Sequence, residues 1–370
     1  MNAPAHHEWQ RLQAASGLQR PASLPRPIAP LLTDVETIGD DASVIDKLRP
    51  LQPYMAQPGV LEVCVNRPGE VWVETYEGWT KYPCMALTFK HLAELATAVA
   101  TFTGQHTTEL HPLLSAALPS GERIQIVQPA ATAPGTIVLA MRKPSRTVRR
   151  LTEFETQGLF DDVEVTAARL TKVEEELLHL RDSKRFGDFL RRAVQTRQNI
   201  VLAGATGSGK TTVMKALAEE IPTDERLITI EDAPELTLPN HRNAVHLLYS
   251  KGGQGASDVT AEDLLEACLR LRPDRIFQAE IRGAEAFSFL DLAASGHPGS
   301  MTSVHAGSCE EAFERIALMV RKSSAGGGMT MAEIARMAHS VIDVVVHTAR
   351  CNGRFAVTGI HYDPMGRRGR

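Results

Sequence analysis

The chain has 370 residues, 43% of them hydrophobic and 23% charged, which is enough for a sizeable core and divides most naturally into two domains with connecting segments. A formal net charge of −4 excludes a global positive field that would hold the protein on DNA or on an anionic membrane, so any basic binding surface must be local. Five cysteines, Cys64, Cys84, Cys268, Cys309 and Cys351, form neither a CxxC pair nor a ligand quartet; no apolar run of about 18 residues and no signal-peptide core occurs; a cytoplasmic protein with only peripheral membrane contact fits best. In chain order, residues 1–40 are rich in Ala, Pro and polar residues and are expected to form a flexible arm. Residues 41–145 are expected to form a small α+β domain. LEVCVNR and EVWVETY alternate around Asn66-Arg67-Pro68-Gly69 as a strand pair, LTFKHLAELATAVATFTG has helical spacing and closes on Gly104, and ERIQIVQP and GTIVLAMRK add two strands.

Residues 146–185 are expected to be a linker, since the charged RTVRR and the polar EFETQGLFDD precede the helical KVEEELLHLRD. From 186 to 370 strand and helix alternate. NIVLAG leads to a helix from Lys210 to Glu220, RLITIED to one around AEDLLEACLRL, RIFQAEI to one around AEAFSFLDLAA, and SMTSVHA to another from Glu310. That alternation predicts a mainly parallel sheet with helices on both faces and ligands at the carboxyl ends of its strands.

The strongest chemical signal is Gly204-Ala205-Thr206-Gly207-Ser208-Gly209-Lys210-Thr211, a complete G-x-x-x-x-G-K-[ST] placed between an apolar strand and a helix. Glycines let successive backbone N–H groups curl around a phosphate, and the following helix adds the positive end of its dipole. Lys210 is expected to neutralise the β- and γ-phosphates of ATP and the Thr211 hydroxyl to ligate magnesium, with Thr212 either part of the cradle or a plain helix residue. Glu231-Asp232 and Glu280 end two apolar strands, where they could complete a magnesium shell or orient water, or merely cap the next turn. His305 repeats the pattern of a polar residue at a strand end and could contact a γ-phosphate; His297 has less in its favour. Arg123 and Arg142 in the first domain, and Arg282 just after Glu280, suit phosphate recognition, Arg142 at the domain boundary being placed to clamp a nucleotide.

Taken in order, GATGSGKTT, TIEDAPEL, LRLRPDRIFQAEIRGAEA and GHPGSMTSVHAGS resemble the Walker A, Asp, atypical Walker B and His boxes of the type II/IV secretion ATPase superfamily. LPNHRNAVHLLYSKGGQG and VTAEDLLEACLRLRPDR resemble most closely the hexameric traffic ATPases of type IV secretion and conjugation systems, and LPSGERIQIVQP and VLAMRKPS extend the likeness into the first domain. The resemblance implies an α/β chain whose C-terminal domain is a RecA-like P-loop domain, joined by a linker to the smaller N-terminal α+β domain. It also implies a homohexameric ring, peripherally attached to the inner membrane and to its secretion channel, that moves protein or nucleoprotein cargo indirectly and binds no nucleic acid by sequence. Its implied site residues are Lys210 and Thr211, Glu231 and Asp232, Glu280, His305, Arg123 and Arg142, with ATP and Mg2+ as ligands; of the two glutamates, Glu280 is favoured to orient water. Ala279 departs from the glycine usual before the Walker B glutamate. A nucleotide-gated scaffold, a pilus retraction motor and a small-molecule kinase remain as alternatives, although the large first domain and the His box speak against the last.

Overall fold

The computed structural model describes residues 41–144, 148–161, 163, 169–250 and 255–368; the segment expected to be an arm, 1–40, lies outside the described residues, as does part of the expected linker. Residues 148–161 belong to a unit separate from the rest, in which Leu151–Thr156 forms one short helix.

The first half of the larger unit is an antiparallel sheet of six strands: β1 Glu62–Val65, β2 Gly69–Thr75, β3 Gly78–Cys84, β4 Leu113–Ala117, β5 Arg123–Val127 and β6 Val138–Arg142, in the order β3-β2-β1-β6-β5-β4. The tight turn around Pro68 pairs β1 with β2 as the alternation predicts, burying Val63, Val65, Val71 and Val73. The helix Phe89–Phe102 covers that face: Thr88 caps it by accepting from the His91 N–H at 3.1 Å, Gly104 closes it at φ 66°, and Leu92, Leu95 and Val99 join the valines in one core. The sequence reading missed β3 and β4. β3, GWTKYPC, is an edge strand open to solvent along most of its length, so it shows no apolar alternation, and Pro83 is tolerated there because an edge has no second ladder to break.

The second half is a seven-stranded sheet. Its strands are β7 Ile200–Gly204, β8 Leu227–Glu231, β9 Ala244–Leu248, β10 Arg275–Gln278, β11 Met301–Val304, β12 Val344–Cys351 and β13 Arg354–Tyr362, in the order β13-β12-β7-β11-β10-β8-β9. All pairings are parallel except β12 with β13, and every residue of β7, β8, β10 and β11 is buried, as expected for strands covered on both faces. Register then fixes where the strands stop: Ala203 lies opposite Val304, Phe277 opposite Met301, and Ile230 opposite Gln278. The loops after β7, β8, β10 and β11 therefore leave the sheet along one edge. The helix Lys172–Asp182, opened by a Thr171/Glu174 capping box, packs Leu177 and Leu180 into the core beneath β7, so this part of the expected linker is bonded to the second sheet.

The two sheets touch near β9. Asn66 and Asn243 share the buried Arg226 guanidinium at 2.6 Å each, Arg67 donates to the Ala244 carbonyl at 3.1 Å, and Arg272 forks onto Glu74. No helix among the described residues is long and apolar enough to cross a membrane.

Candidate active site

The loop after β7 is built around two glycines. Gly204 sits at φ 156°, where a Cβ would come within 2.4 Å of the Ser208 Oγ and the Thr348 carbonyl, so a side chain here would fill the space that lets the loop fold onto itself. Gly209 precedes the helix Lys210–Ala218 at φ 95°, a left-handed conformation that only glycine takes without strain. Ser208 shares a hydrogen bond of 2.9 Å with the Thr348 hydroxyl of β12, which also donates to the Ala203 carbonyl at 3.2 Å. The Lys210 ammonium lies inside the loop, donating to the Gly204 and Ala205 carbonyls at 3.0 and 3.1 Å, with the residue 8% exposed. Burial lowers its pKa, the Glu280 charge partly restores it, and Arg282 lowers it again. Thr206 and Thr212 are less enclosed, and Thr211 donates to Glu235 at 3.3 Å, a partner the sequence reading did not single out.

Beside this loop the strand ends bring four predicted groups together. Arg282 holds Glu280 in a two-pronged grip, Nη2 reaching Oε2 at 2.8 Å and Nε reaching Oε1, while its Nη1 donates to Asp232 at 3.0 Å. The His305 Nε2 lies 2.9 Å from the Glu280 Oε1. Burial pushes the Glu280 carboxyl up, but the hydrogen bond and charge of Arg282, with the charges of His305 and Lys210, outweigh it and hold the group below its ordinary range. The same contact with Glu280 raises Arg282. Ala279, the departure from glycine, donates its N–H to the Ile230 carbonyl at 3.0 Å and accepts from Ser303, so the methyl group costs the strand no hydrogen bond.

Glu231 is placed differently. Expected from the sequence to be a catalytic and metal-binding acid, it instead gives its carboxylate to its own strand and loop. It is 1% exposed, with Oε2 accepting from the Glu235 and Leu236 N–H groups at 2.8 and 2.7 Å and Oε1 from the Thr229 hydroxyl at 2.8 Å. Burial raises its pKa, but hydrogen bonds from His246, Leu236, Thr229 and Glu235 outweigh it and hold the carboxyl below its ordinary range. The physical reason is strand geometry: Glu231 is the last residue of β8 and is buried in the sheet, whereas Asp232 lies one residue past its end.

Arg123 and Arg142 meet other partners in the described structure. Opposite each other on β5 and β6, they line a cleft of about 460 Å³ with Glu62, Arg270 and Arg272, and its described lining includes no residue of 204–212. Glu62, 4% exposed, is pushed up to about 7 by burial, against the pull of Arg142 and with the help of Glu74. Because its folded pKa is raised, the stability it contributes is complete below pH 4.5 and is lost as pH rises through about 7, ~3 kcal/mol in all. Glu62→Gln should therefore flatten the fall in unfolding free energy between pH 5 and about 7.5. Denaturant titrations across that range check this, and an unchanged slope in the variant would assign the dependence elsewhere.

Among known proteins, the model of the type II/IV secretion system protein family matches residues 45–355. The chain belongs to that family. Its relatives within the type II/IV secretion family include the type IV secretion system protein VirB11 of Brucella suis, 49% identical over 345 residues that cover 91% of this chain and 95% of that one. PtlH of Bordetella pertussis, another type IV secretion system protein, is 43% identical over 316 residues, covering 85% and 93%. The crystal structure of the VirB11 ATPase from the Brucella suis type IV secretion system in complex with sulphate superposes with a TM-score of 0.84 at 49% identity, covering 89% of this chain and all of that one. The α/β architecture with a RecA-like domain, the ATPase activity and the setting in type IV secretion, each expected from the four boxes, therefore stand for this member of the type II/IV secretion family. Two features of its site escaped the sequence reading: Thr348, which locks the phosphate loop from 140 residues away, and the β12–β13 hairpin, although Asn352-Gly353 at φ 51° and 79° is a legible hairpin turn.

Proposed function

We propose that the chain hydrolyses ATP with magnesium as a homohexameric ring attached peripherally to the cytoplasmic face of the inner membrane, and that its domain motion powers a type IV secretion or conjugation channel. The observation that carries this reading is the meeting of Glu280, Asp232, Arg282 and His305 at the strand edge beside Lys210. Residues 204–212 cradle the phosphates through backbone N–H groups and the helix dipole, and Lys210 turns from the loop carbonyls to the β- and γ-phosphates. Thr211 and Asp232, a hydroxyl and a carboxylate of the hard-oxygen kind magnesium prefers, are the residues that would hold the ion, which would supply neutralisation of phosphate charge. Glu280, kept ionised by its neighbours, accepts a hydrogen bond from the attacking water and orients it. His305 steadies that carboxylate and lies where the loss of a γ-phosphate can be felt, while Glu231 shapes the loop that presents Asp232.

Arg123 and Arg142, which line a cleft that residues 204–212 do not, act in this reading on nucleotide held by an adjacent copy, which makes the ring necessary for full turnover. Protein or nucleoprotein cargo is moved indirectly, through the channel components the ring contacts. The test is electron microscopy of the purified chain with and without a nonhydrolysable ATP analogue. Six-fold rings that tighten with the analogue are expected; monomers under both conditions would refute the ring.

A further inference from the structure

The sheet order separates the two ends of a nucleotide. Asp232, Glu280 and His305 follow β8, β10 and β11, which all lie on one side of β7. Catalytic acids must face the terminal phosphate, so the triphosphate points toward that side and the nucleoside extends toward the other. On that other side the neighbour of β7 is β12, in parallel register with Thr348 opposite Gly204, and outside it runs β13. Past Thr348 the hairpin continues beyond the end of β7, turns at Asn352-Gly353 and returns with Phe355 paired to Arg350.

Phe355 lies against the last glycine of the phosphate loop: a Cβ on Gly209 would be 2.8 Å from its Cγ and Cδ2. Phe355 nevertheless remains 53% exposed. An aromatic side chain that only supported the loop would gain by sinking into the adjacent core, since burial of a phenyl ring contributes on the order of 2 kcal/mol. This one instead keeps a surface open beside the cradle, held there by a hairpin that Thr348 bonds to the loop.

We propose that Phe355 is the stacking platform for the base of the bound nucleotide. The inference rests on the ATPase reading of the site and extends it to the nucleoside end. Stacking engages the π-face common to all bases rather than the hydrogen-bonding edge that distinguishes them, so Phe355 adds affinity without choosing adenine over guanine. Gly209 contributes twice, since its missing side chain admits both the left-handed turn and the ring.

Calorimetric titration of the full chain with ADP and with inorganic tripolyphosphate, each with magnesium, separates a base contact from a loop support. Phe355→Ala should weaken ADP about tenfold while leaving tripolyphosphate unchanged, and Phe355→Tyr should restore ADP binding. Equal weakening of both ligands would overturn the proposal in favour of a supporting role, and so would a variant that binds ADP as the wild type does. A wild-type chain that binds neither ligand would overturn the ATPase reading itself, and the proposal with it.

Discussion

Glu280→Gln is expected to lower kcat for ATP hydrolysis by about 10²–10⁴-fold while ATP still binds. The amide keeps the shape of the side chain but not the charge that Arg282 and His305 hold in place, and it is a far weaker acceptor for a water proton. The measurement pairs phosphate release with nucleotide binding, and a variant that turns over at the wild-type rate would remove Glu280 from the chemistry. Glu231→Ala supplies the contrast. It strips two backbone N–H groups, of Glu235 and Leu236, of their buried acceptor, so its main effect should be a loss of roughly 1–3 kcal/mol of unfolding free energy in denaturant titration.

Lys210→Ala should reduce kcat/KM for ATP by about 10³-fold, because the ammonium is the one cation placed inside the loop at residues 204–211 to meet developing phosphate charge. Its effect on stability should be small or favourable. Burial depresses the pKa of Lys210, which means that folding disfavours the charged form and that the unfavourable contribution fades as pH rises toward the ordinary lysine value. Loss of turnover with an unchanged or raised Tm is thus the expected pair of results. Normal turnover in this variant would refute the assignment of the site.

Much of this site is legible in local pattern. An apolar run followed by glycines and Lys210-Thr211, and acids placed just after LITI and RIFQA, suffice to predict a parallel sheet with its ligand edge at those positions, because parallel connection forces successive strands to end on the same side. The first sheet is half legible. Its buried strands alternate visibly, whereas β3 shows no such pattern because none of its residues is fully buried. The hairpin β12–β13 carries its own turn signal at Asn352-Gly353, yet nothing within those residues says that they lie beside a loop 140 positions earlier.

Side-chain destinations are what local pattern left open. Glu231 and Asp232 are neighbours of nearly identical chemistry, and one turns inward to bind backbone amides while the other meets Arg282; the choice depends on where β8 ends against β9 and β10. Arg123 and Arg142 look equally suited to phosphate wherever they lie, and only the docking of the first sheet near β9 directs them to a cleft with Arg270 and Arg272. The amino-acid order by itself determined the phosphate loop, the acids at strand ends and the α+β or α/β class of each half, since these follow from backbone geometry and burial period within a few residues. Tertiary structure alone decided which acid faces the lysine, what braces the loop and where the arginines go, because those outcomes are set by contacts between residues tens to hundreds of positions apart, whose energies no short window of sequence contains.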